Sequence, residues 1–93
     1  MNKRELIGAI ASRAGLTRAD AHRGLEAMLE TVSEALMQGE RIALSGFGIF
    51  EVRKRAGRTG RNPRTGQALK IRAARVPSFR ASAALRTYVN RDR

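Results

Sequence analysis

The sequence predicts an α+β fold, with an N-terminal helical hairpin, a β-sheet carrying a long protruding two-stranded β-ribbon arm, and a short C-terminal helix. Apolar residues recur at helical spacing over the first 38 residues and alternate with polar or small residues from residue 41 onward. The segment 58–66 lacks large apolar side chains and contains two glycines and a proline. That composition is typical of a turn, and a ribbon with such a tip must project into solvent.

Two amphipathic helices account for the first half of the chain. Asn2 and Glu5 have the spacing of a capping box, and Gly15 ends the helix that follows. A weaker cap at Thr17 precedes a second apolar stripe that continues to about Gln38. The three-residue link between the two segments predicts an antiparallel helical hairpin.

Strands are predicted where the period of the apolar residues changes from 3.6 to 2. Ile42 and Leu44 belong to a first strand, residues 46–48 form a turn, and the next strand continues through Val52. The alternating segment 69–73 is predicted to be the opposite arm of the hairpin.

The C-terminal part is predicted to form one more helix. Residues 76–79 are expected to lead out of the hairpin, and the helix is expected over roughly 82–90, with Ser82 near its cap. Leu85 and Val89 should face inward.

Charge is distributed unevenly between the two halves. Residues 1–51 contain six basic and seven acidic residues, a net charge of −1, whereas residues 52–93 contain thirteen basic residues and one acidic residue, a net charge of +12. No carboxylate side chain lies between Glu51 and Asp92. Because the basic residues are interleaved with strand-like apolar residues and no acids balance them, a polyanion is the expected partner.

A single copy of the chain contains little material for a hydrophobic core. It has 93 residues, and 15 of its hydrophobic residues are alanine. The absence of cysteine excludes disulfides, and one histidine without a thiol argues against a four-ligand zinc site. Self-association is therefore the expected source of additional burial.

Several other classes of function are not predicted. No stretch approaches the ~20 apolar residues of a membrane span, and no apolar segment follows the N-terminal residues as in a signal peptide, so a cytoplasmic location is expected. Glu26, Glu30 and Glu34 share one helix face, where a solvated surface is the simpler interpretation than a metal site. No nucleophile–base pair is legible, so neither catalysis nor a cofactor is predicted.

Four segments resemble one known family: residues 1–3, 45–50, 58–66 and 76–79. The most specific of them contains Gly-Arg-Asn-Pro-Arg-Thr-Gly, and Gly-Phe-Gly-Ile-Phe lies upstream. In their order and spacing these segments resemble the HU/IHF family of bacterial histone-like DNA-bending proteins, and the resemblance extends over nearly the full chain. The HU type is the expected assignment within the family.

The resemblance implies an intertwined homodimer, or a heterodimer with a paralogue. Residues 1–93 would form one domain, with 1–52 and 76–93 as the dimerisation body and 53–75 as the DNA-binding β-arm. The implied function is architectural: binding duplex DNA through the minor groove with little sequence specificity, and bending and condensing it in the nucleoid. The alternatives are a site-preferring IHF-type subunit and, from another class, a structural RNA-binding protein.

The resemblance and the charge pattern together give two sets of candidate residues. The core and dimer-interface set is Leu29, Leu36, Leu44, Phe47, Phe50 and Phe79. The DNA-binding set is Lys3, Arg53, Arg55, Arg58, Arg61, Asn62, Pro63, Arg64, Lys70, Arg72, Arg75, Arg80 and Arg86. Pro63 is either a turn proline or, as the family implies, a rigid wedge inserted between base pairs.

Overall fold

The computed structural model describes residues 1–55, 58–61, 64–71 and 73–91. The elements in chain order are α1 (Lys3–Ala14), α2 (Arg18–Met37), β1 (Ile42–Leu44), β2 (Gly48–Arg55), β3 (Arg58–Arg61), β4 (Ala68–Ile71), β5 (Ala74–Ala81) and α3 (Ala83–Val89). The predicted α+β class is confirmed. The chain forms two compact units, residues 1–35 and 36–93. Within the described ranges, no helix is long and apolar enough to cross a membrane.

The helix ends lie where the sequence predicts them. The Asn2 side chain accepts a hydrogen bond from the Glu5 backbone N–H at 2.9 Å, and the Glu5 carboxylate accepts one from the Asn2 N–H at 3.2 Å. This reciprocal pair is the predicted capping box. Gly15 ends α1 with φ 66°, a left-handed conformation that suits glycine. The Thr17 hydroxyl accepts from the Asp20 N–H at 3.1 Å and caps α2.

In the first unit, α1 and α2 are linked by polar contacts across a small apolar interface. The Arg18 guanidinium donates to the Arg4 carbonyl oxygen at 2.9 Å. It lies over Gly8, where a Cβ would come within 2.9 Å of Arg18 Nη1. Ile7 and Ala21 are the buried hydrophobic residues among those described.

An ion pair also joins the two helices of this unit. Lys3 Nζ contacts the Glu26 carboxylate, and His22 Nε2 lies 3.5 Å from the same carboxylate oxygen. The hydrogen bond from Lys3 is the main reason that the pKa of Glu26 lies below its ordinary value of 4.5.

The second unit contains an antiparallel sheet in the order β1-β2-β5 and a separate two-stranded ladder of β3 and β4. Arg55 pairs with Ala74 at one end of the β2–β5 ladder, and Arg58 pairs with Ile71 in the β3–β4 ladder. Going from the first pair to the second, the chain advances three residues from Arg55 to Arg58 and goes back three residues from Ala74 to Ile71. The two ladders therefore have one common register, as expected for a body sheet that extends into an arm.

The prediction that residues 76–79 lead out of the hairpin is wrong. They lie inside β5, which pairs along the whole of β2. Pro77 is opposite Val52 in this ladder, and proline is tolerated there because β5 is an edge strand of the sheet. The segment 69–73, predicted as the opposite arm of the hairpin, overlaps β4, which pairs with β3.

The predicted core aromatics form a cluster that a single chain leaves partly exposed. The Phe79 ring centroid lies 4.8 Å from that of Phe50 and 5.4 Å from that of Phe47. Phe47 is 44% exposed, Phe79 43% and Leu29 43%. Leu36, Leu44 and Phe50 are half-buried. Among the described residues, one chain leaves these apolar side chains only partly buried, and the expectation that a second copy completes the core stays a prediction.

The last helix, α3, lies within one residue of the predicted bounds at each end. The Ser82 side chain accepts from the Leu85 N–H at 3.0 Å and caps α3. Leu85 is half-buried as expected, but Val89 is 64% exposed. Its predicted inward placement is wrong within one chain, because it occupies the final position of a seven-residue helix.

The atoms around Gly48 leave no space for a larger side chain at this position. A Cβ there would lie 2.5 Å from Phe79 Cζ and 2.6 Å from the Arg80 carbonyl oxygen. We therefore expect Gly48→Ala to lower the free energy of unfolding by about 1–3 kcal/mol, as overpacking does, measured by urea denaturation. The control is Gly24→Ala on α2, where nothing lies within 4 Å of the added Cβ. This substitution should raise stability by up to about 1 kcal/mol, and equal stability of the two variants would contradict the packing argument.

The lowered pKa of Glu26 predicts a pH-dependent contribution to stability. The contribution is fully present above the ordinary pKa of 4.5 and is lost as the pH falls through the lower pKa of the folded state. Glu26→Gln should therefore be less stable than the parent at neutral pH and equally stable below that window, in urea denaturation as a function of pH. The control is Glu30→Gln, one turn along α2 at a residue without an ion pair in the described structure. A Glu26→Gln deficit that persists in strong acid would disprove the assignment.

Candidate nucleic-acid interface

The β2–β5 ladder presents a face that we call the cationic face, formed by Arg53, Arg55 and Arg80. Arg53 and Arg55 are two residues apart on β2 and so point to the same side. Arg80 is directly opposite Ile49, which shares that side. All three arginines are exposed. Glu51 is on the same side of β2, between Ile49 and Arg53, and its Oε2 lies 3.9 Å from Arg80 Nε.

Arg75 lies on the other face of the same ladder. It is directly opposite Lys54, on the side of the sheet that carries Phe50 and Phe79. Its Nη2 donates to the carbonyl oxygens of Leu36 at 3.0 Å and Met37 at 2.6 Å. The residues predicted as one basic run therefore divide between two faces. The predicted DNA contact of Arg75 stays a prediction.

The arm contributes the backbone positions of several further candidates. Arg58 and Arg61 begin and end β3, and Lys70 lies on β4 opposite Thr59. Arg64 is exposed in the turn between these strands. Gly66 in that turn has φ 72°. The remaining candidates, Asn62, Pro63 and Arg72, lie outside the described residues.

On the body of the protein, the structure brings Arg80 and Arg86 together. Both line one cavity, which also includes Ser45 and Gly46 of the turn after β1 and Ser82 at the cap of α3. Lys3, in the first unit, is engaged by Glu26. It also borders a cavity with other cationic side chains and a histidine, which are Arg4, Arg18 and His22.

The predicted set omits Lys54, an exposed cation in the same strand as Arg53 and Arg55. Lys54 lies between these two arginines in the sequence. The signal for it was present, since it belongs to the same basic run. Strand alternation places it on the face opposite to its two neighbours.

The positive charge after residue 51 is not balanced by acidic side chains in the same part of the sequence. From residue 52 to residue 91 the sequence contains no carboxylate side chain. Among the described residues, no group of three or more His, Cys, Asp or Glu could hold a metal ion. Exposed arginines and lysines are the groups that bind phosphates along a nucleic-acid backbone.

Comparison with known proteins gives matches over nearly the whole chain. Residues 1–90 match a family described as bacterial DNA-binding protein. The chain is 52% identical over 90 residues to DNA-binding protein HU-beta of Escherichia coli K12, a match that covers 97% of this chain and 100% of that protein. It is 47% identical over 89 residues to DNA-binding protein HU of Geobacillus stearothermophilus, covering 96% of this chain and 99% of that protein.

A solved structure agrees with the fold. A cocrystal structure of Anabaena HU with DNA superposes with a TM-score of 0.86 at 45% sequence identity, covering 98% of this chain and 99% of that one. The three helices and the three-stranded antiparallel sheet match those of HU structures. Together with the motifs 45–50 and 58–66, these similarities show that the chain belongs to the bacterial DNA-binding protein family that includes HU and IHF.

Proposed function

We propose that this protein is an architectural, histone-like DNA-binding protein of the HU type, which binds duplex DNA and bends and condenses it. The observation that carries the proposal is the cationic face of the β2–β5 ladder, which leads in constant register into the β3–β4 arm. No carboxylate follows Glu51 in this part of the chain until Asp92. The similarity to an HU that was crystallised with DNA supports the same conclusion.

Affinity in this proposal comes mainly from electrostatics. Each arginine or lysine that neutralises a phosphate releases a condensed counterion, and this term does not depend on base sequence. The arm would enter the minor groove, where the hydrogen-bonding pattern distinguishes base pairs poorly. Sequence preference should therefore be weak, which favours HU-type over site-preferring IHF-type behaviour.

Bending in this proposal depends on the tip of the arm. Pro63, which lies outside the described residues, would insert its compact apolar ring between base pairs. Unstacking costs on the order of a few kcal/mol per step. Phosphate contacts by Arg61 and Arg64, the flanking arginines, would offset that cost.

A homodimer would supply the burial that one chain lacks. Phe47, Phe79 and Leu29 each leave more than two fifths of their surface exposed. Covering these side chains with a second copy would remove apolar surface from water at about 25 cal/mol per Å². Two copies would also present two arms to one duplex.

The proposed role requires no catalysis and no small-molecule substrate. The relatives are named as DNA-binding proteins, and DNA binding and bending are equilibrium processes. Because duplex DNA is the proposed partner, we also propose that the protein acts in the cytoplasm as part of the nucleoid.

Binding to duplex DNA should depend steeply on salt. If ~6–10 phosphates are engaged, affinity should fall ~10³–10⁵-fold between about 50 and 200 mM salt, in a fluorescence anisotropy titration with a random-sequence duplex. Arg13→Gln, which removes one charge from α1 outside the predicted set, should leave the salt slope unchanged. A flat salt response of the parent would disprove the electrostatic account, and tight binding restricted to particular sequences would favour an IHF-type subunit.

Pro63→Ala should reduce DNA bending more than it reduces affinity, because it removes the wedge and leaves the arm's charges in place. Bending is measured by energy transfer between fluorophores at the two ends of a short duplex at saturating protein. The matched control is Pro77→Ala, at the chain's only other proline, which lies in β5 opposite Val52. Unchanged transfer with Pro63→Ala would mean that Pro63 is only a turn residue.

A further inference from the structure

Arg75 makes a contact that its place in a basic run does not explain. Its Nη2 donates to two carbonyl oxygens, Leu36 at 3.0 Å and Met37 at 2.6 Å. These residues are the last two of α2. The final carbonyls of a helix have no partner within the helix. The Leu36 carbonyl also accepts from the Gly39 N–H at 3.0 Å, so Arg75 is a second donor to Leu36 and a donor to the Met37 carbonyl.

The end of α2 requires a cation from elsewhere in the chain. Its last turn contains no basic residue, and Glu34 and Glu40 lie close to this end in the sequence. The C-terminus of a helix carries a partial negative charge that cations stabilise. The guanidinium lies next to Gly39, where a Cβ would stand 3.9 Å from Arg75 Nη2, at ordinary van der Waals distance. Arg75 is therefore the cation that compensates this helix end.

The same residue lies at the base of the arm. Arg75 pairs with Lys54, and the next pair toward the arm, Arg55 with Ala74, is the last of the β2–β5 ladder. Two like charges directly opposite each other destabilise a ladder, and the Arg75 guanidinium is hydrogen-bonded to the carbonyls at the end of α2. Arg75 also lines a small cavity with Leu36, Met37, Val52 and Pro77.

We propose that Arg75 is a positioning residue that fixes the base of the β-arm to the end of α2, and that it does not contact DNA. This inference rests on the proposed function, because the arm is the element that would bend the duplex. An arm that pivots at its base transmits less bending force than one held by two hydrogen bonds. Arg53 and Arg55 lie on the opposite face of the ladder and remain the contacts expected at this height of the ribbon.

The test compares Arg75→Met with Arg53→Met. Each substitution keeps an apolar stem and removes one positive charge. A lost phosphate contact lowers the slope of log K against log [salt] by about 0.9. We expect that decrease for Arg53→Met and an unchanged slope for Arg75→Met. Energy transfer between the ends of a duplex of about 30 base pairs should fall for Arg75→Met at saturating protein.

A second measurement uses the full-length protein without DNA. Backbone amide hydrogen exchange in residues 53–55 and 74–76 should be faster in Arg75→Met than in the parent and unchanged in Arg53→Met. Arg75→Lys should restore much of the protection, because a lysine can also donate to the last carbonyls of a helix. This readout requires folded protein only, so it distinguishes failure of the positioning role from failure of DNA binding.

Two outcomes would overturn the inference. One is a decrease in salt slope for Arg75→Met equal to that for Arg53→Met, which would identify Arg75 as a phosphate contact. The other is unchanged amide exchange at the arm base in Arg75→Met. If the parent itself bound duplex DNA without salt dependence, the proposed function would fail, while the exchange result would still test the anchoring of the arm.

Discussion

The concentration of positive charge in the part of the chain after residue 51 is the constraint on which the rest of the structure depends. Thirteen of the 19 lysines and arginines follow residue 51, and a single acidic residue accompanies them. The chain cannot neutralise this charge with its own carboxylates in that region. The fold accommodates it by spreading the cations along antiparallel strands, where alternate residues point to opposite sides. The cationic face is thereby exposed to solvent, while the other face of the ladder carries Phe50 and Phe79.

Arg75 and Arg80 show how the body of the protein accommodates part of that charge. Arg75 faces Lys54 across the ladder, and its guanidinium lies on the carbonyls at the end of α2. Arg80 lies 3.9 Å from the Glu51 carboxylate. Surface ion pairs of this kind contribute little to stability, so their main consequence is to orient side chains. Arg75 and Arg80 are thus engaged by protein groups, whereas Arg53 and Arg55 at the end of β2 form no ion pair with the residues that the structure describes.

The scarcity of buried apolar side chains is the second constraint. It agrees with the dimeric architecture that the resemblance to the HU/IHF family implies. Ile7 and Ala21 are the buried hydrophobic residues in the described part of a single chain. The Phe47, Phe50 and Phe79 cluster is already assembled, with ring centroids about 5 Å apart. Its surface is nevertheless open, and a second copy is the natural cover. The assignment of these aromatic residues to the core and dimer interface stays a prediction, because one chain does not complete their burial.

The amino-acid order alone was sufficient for the helices, the first strands and the chemical class of the partner. Caps such as Asn2 with Glu5 depend on residues three positions apart, and charge imbalance is a property of composition. The sequence analysis did not place residues 76–79 in a strand, and only the sheet shows that the edge position of β5 tolerates Pro77, a residue without an N–H. The division of the basic run into a cationic face and an anchored Arg75 required the three-dimensional fold. That division depends on a strand register and on a hydrogen bond between residues 39 positions apart, and such long-range geometry leaves no periodic trace in the chain.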